Sequence, residues 1–133
     1  MRIGRFVLAS TVLFIVALLW NGFLHMIVLS NIDKSVSSIW RPNFSIWLSM
    51  LMTFGIVSLY VLGYSQFARK GTLREGVSYG LFFAVLAGLL VDLNQYILYP
   101  IPVNAPLAWF AGGIIEFVLY GVLVTKLYPI EQT

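Results

Sequence analysis

The chain has 133 residues, 60% of them hydrophobic and only 10% charged, with a mean hydropathy of +0.93. A soluble domain of this size carries about a quarter charged residues, so the composition excludes one and leaves room for four membrane spans and little else. The absence of cysteine excludes disulfides, thiolate metal sites and iron–sulfur clusters, and the net charge of +3 follows membrane topology rather than a nucleic-acid surface.

The first apolar run, 6–29, follows Arg2 and Arg5. It is about 24 residues long, enough to cross a hydrocarbon core of about 30 Å. It exceeds the apolar core of a signal peptide and no A-x-A-like cleavage site follows, so a span is expected. A polar connection over 30–45 then carries Asn31, Asp33, Lys34 and Arg41, and Trp40 and Trp47 mark an interface at its end. The second run, 46–64, holds Ser49, Thr53, Gly55, Ser58 and Gly63 but no ionisable group. A short basic loop with Arg69, Lys70, Arg74 and Glu75 leads to the third run, 76–98. Three prolines, Pro100, Pro102 and Pro106, break the helix there, because proline lacks a backbone donor and disfavours helix in the residue before it. The fourth run, 107–128, is closed by Lys126 and Pro129.

These spans put Arg2, Arg5, Arg69, Lys70, Arg74 and Lys126 on one side and only Lys34 and Arg41 on the other. The positive-inside rule then orients both termini toward the cytoplasm. The expected fold is all-α: one integral membrane domain over 1–133, built as an antiparallel bundle of four transmembrane helices in a bacterial inner membrane.

Small residues recur at every fourth position in Gly76, Gly80, Ala84 and Gly88, and the next step lands on Asp92. The fourth run repeats the pattern with Ala108, Gly112, Glu116 and Tyr120, beside a second row of Gly113, Phe117 and Gly121. The first run has Ala17, Asn21 and His25. Small-xxx-small faces let membrane helices approach closely, so Gly76, Gly80, Ala84, Gly88, Gly112 and Gly113 are the expected packing residues. Apart from Lys126, which closes the fourth run, His25, Asp92 and Glu116 are the only acidic or basic residues inside the runs. At about 1.5 Å per residue, Glu116 sits near mid-span, while Asp92, Asn21 and His25 fall about 5–11 Å toward the side opposite the basic loop. A cluster of Glu116, Asp92, His25 and Asn21 is therefore expected in one half of the bundle, facing inward.

Four readings of that cluster compete. The first is structural: it fixes helix register, and the protein works by association with membrane lipids and with other membrane subunits or itself, as a homo-oligomer or an accessory subunit. The second is a small proton-coupled transporter using Glu116 and Asp92, since desolvation disfavours a charged carboxylate and a bound cation can replace its proton. The third is a metal or haem site with His25, Asp92 and Glu116 as ligands, although one histidine gives no bis-imidazole pair. The fourth is a lipid- or quinone-type ligand in an apolar slot formed by Phe82, Phe83, Phe110, Phe117 and Tyr120. No cofactor is predicted outright. No nucleophile–base pair or phosphate-binding glycine loop points to an enzyme.

Tyr99-Pro100-Ile101-Pro102, the stretch Trp109-Phe110-Ala111-Gly112-Gly113-Ile114-Ile115-Glu116, and a fainter echo in Leu19-Trp20-Asn21-Gly22-Phe23-Leu24-His25 resemble small four-helix bacterial membrane proteins. The resemblance covers about half of the chain. It implies a four-helix fold and a bacterial source, and it carries no known activity.

Overall fold

The computed structural model describes residues 2–130, which form helices and no strand. Helix α1 (Ile3–Phe23) runs on through a π-helical turn, Leu24–Val28, into the short α2 (Ser30–Ser35). Helix α3 is Ile46–Phe67. Helix α4 (Leu73–Ala87) continues through a second π-helical turn, Gly88–Asp92, into α5 (Leu93–Leu98), and α6 is Asn104–Leu127. Four continuous stretches, Ile3–Val28, Ile46–Phe67, Leu73–Leu98 and Asn104–Leu127, are long and apolar enough to cross a membrane. They suit a small multi-pass membrane protein.

The helix starts are set by local chemistry. The Ser45 hydroxyl accepts the Leu48 N–H at 3.3 Å and caps α3. Thr72 caps α4 in the same way through the Glu75 N–H, so that helix begins three residues before the apolar run. The Glu75 carboxylate reaches back to accept the N–H groups of Arg69, Lys70 and Gly71 at 2.8, 2.9 and 2.7 Å. This closes the basic turn as an extended capping box. Gly71 stands there at a φ of 63°, a left-handed conformation that a side chain would disfavour. Helix α6 also starts early, at Asn104, because Pro106 lies in its first turn, where its missing N–H breaks no helical bond.

Helices α4 and α6 form the most extensive contact in the fold. A Cβ added at Gly76 would strike the Gly121 carbonyl and Thr125, one at Gly80 the Phe117 carbonyl, and one at Gly88 the Phe110 ring. The partners step down α6 as the glycines step up α4, and backbone approaches backbone along most of the seam. Helix α1 packs on α3 and α6, while α3 leans mainly on α1.

The core lies in one half of the molecule. Ala9, Leu13, Val57, Tyr60, Val61, Tyr64, Tyr120 and Val124 are buried together near the 68–72 turn. Tyr60 is its centre, with ring centroids 4.8 Å from Tyr79, 5.3 Å from Phe83 and 5.7 Å from Tyr120. At this end the Arg2 N–H donates to the Tyr128 hydroxyl at 3.1 Å, and the Arg2 guanidinium donates to the Pro129 carbonyl. Both ends of the described chain therefore meet here. At the other end a smaller apolar cluster of Val36, Ile101, Ala105 and Trp109 joins the loops. Between the two clusters the first half of α3 stands off from α4 and α6.

Candidate functional site

The gap left by α3 is a half-open cleft of about 660 Å³, walled by α1, α3, the second π-helical turn and α6. Asn21, His25, Asp92 and Glu116 all line it, together with Ser49 and Thr53 from α3 and Trp109 and Tyr120 from α6.

Glu116 is held from two helices. Asn21 Nδ2 donates to Glu116 Oε1 at 2.8 Å and also donates to the Ala17 carbonyl of its own helix at 2.9 Å. The Tyr120 hydroxyl donates to the same carboxylate from one turn along α6. A step of four residues on an α-helix is nearly a full turn, so Tyr120 stands over Glu116 by periodicity alone. Trp20 Nε1 donates to the Gly112 carbonyl at 3.2 Å and ties α1 to α6 one turn away.

Asp92 is placed by its π-helical turn. The Leu93 N–H bonds back five residues to Gly88, so the turn holds one more residue than an α-turn. Steps of four on a regular helix drift round the axis by about 40° each. The wider turn offsets that drift and brings Asp92 Oδ2 to 3.7 Å from where a Cβ of Gly113 would stand. A Cβ at Gly113 would stand in ordinary van der Waals contact with the carboxylate. Among the described residues Asp92 makes no hydrogen bond, and its side chain is only partly buried on the cleft wall.

His25 departs from the expected cluster. Its Nδ1 pairs with Asp33 Oδ2 at 2.7 Å, and Trp109 Nε1 donates to Asp33 Oδ1 at 2.9 Å. Asp33 is 5% exposed. The first π-helical turn, closed by the Leu29 N–H on the Leu24 carbonyl at 2.7 Å, precedes α2 and lets it fold Asp33 back over the end of α1. The four expected residues therefore share one cleft but not one hydrogen-bond network. Asn21, Glu116 and Tyr120 form one group, His25, Asp33 and Trp109 a second, and Asp92 stands between them. Asp33 is the member that sequence reasoning misses, since it sits in a polar stretch read as a connection.

The packing residues divide by neighbour. Gly76, Gly80 and Gly88 meet α6, and Ala84 is buried with them. Gly112 faces Leu24 at the end of α1, whereas Gly113 faces Asp92. The two adjacent rows of α6 thus serve different partners. Of the five aromatics expected in an apolar slot, Phe117 and Tyr120 line the cleft. Phe83 belongs to the tyrosine core, Phe110 covers Gly88, and Phe82 points outward.

None of the cleft-lining residues is lysine or arginine. The cleft holds two carboxylates, one bound by neutral donors and one without a donor, in a setting where charge is costly unless paired. Among the described residues no group of three or more His, Cys, Asp or Glu is gathered as a metal would require, and His25 Nδ1 is taken up by Asp33. No protein-family model, curated protein or solved structure matches the chain.

Proposed function

We propose that the chain is an antiparallel four-helix bundle of a bacterial inner membrane, with both termini cytoplasmic, whose acidic cleft binds a cationic and partly apolar ligand in exchange for a proton. The observation that carries this reading is the Asp92 carboxylate. It lines a cleft of about 660 Å³ beside Glu116, without a hydrogen bond among the described residues and with no lysine or arginine in the wall. A carboxylate at such depth is stable when it is protonated or paired with a cation. The apolar wall from Met50, Ile56 and Val57 suits the body of an amphipathic cation. The layer of Tyr60, Tyr79, Phe83 and Tyr120 closes the cleft toward the basic turn, as expected of a transporter open to one side. The orientation rests on the six basic residues at the end where Arg2 meets Pro129.

The test is proton release from purified protein in weakly buffered detergent on addition of a hydrophobic ammonium ion. Wild type should release protons, and Asp92→Asn with Glu116→Gln should bind weakly and release none. Proton-silent binding, unaffected by both substitutions, would sink the proposal.

A second reading, helix association as a homo-oligomer or as an accessory subunit, draws support from α3. Ile46, Trp47, Leu51 and Met52 are exposed there, and a helix from another subunit could occupy the space beside them. The glycine seam offers it no support, because Gly76, Gly80 and Gly88 are occupied within the chain. Crosslinking through α3 in native membranes separates the two readings.

A further inference from the structure

A second cavity, of about 1020 Å³, lies at the end of the molecule away from the basic turn. Its wall includes Arg41, Gln95, Trp40, Phe44 and Tyr99, and it shares His25 and Trp109 with the acidic cleft. The two spaces therefore adjoin across that pair of side chains. Their charges are opposite. The acidic cleft has two carboxylates and neither lysine nor arginine, while the second cavity has a guanidinium and no carboxylate among its lining residues. Arg41 has no carboxylate partner among the described residues. Guanidinium matches the geometry of a phosphate, Gln95 adds an amide donor, and the aromatic rings offer an apolar wall at the depth where interfacial tryptophans gather.

We propose that the two cavities form one elongated site for a zwitterionic amphiphile that carries a phosphate and an ammonium group. The phosphate lies at Arg41 and Gln95. The ammonium passes His25 and Trp109 to reach Asp92 and Glu116. The tail runs along the aromatic wall toward the lipid. This inference names the substrate class of the acidic cleft and so rests on the cation-binding reading. It also adds a demand that a simple cation does not make: the ligand needs Arg41. Asp33 serves here as a positioning residue, since its bonds to His25 and Trp109 set the two side chains that both cavities share.

The experiment is equilibrium binding to the purified full chain in nonionic detergent, read by tryptophan fluorescence, because Trp40 and Trp109 line the second cavity. The probes are lysophosphatidylethanolamine, lysophosphatidic acid, dodecylammonium and free phosphoethanolamine. Loss of one charge-assisted contact should weaken binding by about tenfold or more. Arg41→Gln should weaken the first two probes by that factor and leave dodecylammonium unchanged, and Arg41→Lys should recover part of the loss. Asp92→Asn should weaken lysophosphatidylethanolamine and dodecylammonium and leave lysophosphatidic acid unchanged. Lysophosphatidylethanolamine binding that ignores Arg41→Gln but responds to Asp92→Asn overturns this inference and leaves the cation site standing. Dodecylammonium binding that ignores both Asp92→Asn and Glu116→Gln overturns the cation site itself. Equal affinity for free phosphoethanolamine, which has no tail, overturns the assignment to an amphiphile. Size-exclusion profiles of each variant show whether it is folded before any binding is read.

Discussion

Asn21 of α1 and Glu116 of α6, 95 positions apart in sequence, meet side chain to side chain at 2.8 Å. The same amide also donates to the Ala17 carbonyl, so Asn21 uses both N–H groups and holds Glu116 in one orientation. Tyr120 supplies the second donor. Glu116 is thereby a positioned group, whereas the Asp92 side chain, which also lines the cleft, has no donor among the described residues.

Removal of the Asn21 amide should expose this coupling. Asn21→Ala is expected to lower stability by about 0.6 kcal/mol, the average for an interhelical polar contact in a membrane protein, and by no more than about 2 kcal/mol. A double-mutant cycle with Glu116→Gln, followed by unfolding in detergent micelles, measures the pair directly. A coupling of zero would show that the contact is incidental.

The glycine seam should be intolerant in proportion to its closeness. Gly80→Leu drives a side chain against the Phe117 carbonyl and is expected to cost about 1–3 kcal/mol, or to prevent folding. Gly55 has nothing within 4 Å of a built Cβ, so Gly55→Ala should be neutral or stabilise by about 0.5–1 kcal/mol through helix propensity. Thermal midpoints of the two variants beside wild type make the comparison. Equal tolerance at both positions would contradict the packing described here.

Asp33 ties the end of α1 to α6 through His25 and Trp109. Asp33→Ala removes both bonds and leaves the indole N–H without its acceptor. The expected loss is about 1–3 kcal/mol. The tryptophan emission should shift as well, because Trp109 changes its surroundings. Trp109→Phe in the same background should abolish that shift, and a shift that survives would place its origin at another tryptophan.

The absence of cysteine makes accessibility simple to read. Single cysteines at Ser49 and Thr53, which line the open cleft, should react with a charged thiol reagent. A cysteine at Val61, which is fully buried beside Tyr60 and Tyr64, should not. Labelling of cells against inverted vesicles also reports which side the cleft faces. Protection at Ser49 and Thr53 would indicate a site filled by another helix.

The four apolar stretches, the proline break and the glycine rows are legible in the sequence because each is a local property. Span length follows from hydropathy, helix ends from caps such as Thr72 with Glu75, and the small stripe from a period near four. The same period brings Glu116 beside Tyr120 and places Asp92 near the end of its stripe. Sequence therefore determined which residues could stand inside the bundle and at roughly what depth.

Partners were decided only by the tertiary structure. Helical periodicity leaves the rotation of each helix about its axis free, and packing over the whole seam sets it. That is why Gly112 and Gly113, adjacent in sequence, serve α1 and Asp92 respectively. The two π-helical turns shift register by one residue each, at Leu24–Val28 and Gly88–Asp92, with no sequence mark to announce them. The first precedes the fold that brings Asp33 out of a polar connection to His25, and the second turns Asp92 toward Gly113. The cleft itself depends on α3 leaning on α1 while its first half stands away from α4 and α6. That arrangement is a balance of non-local contacts, and no single stretch of the chain contains it.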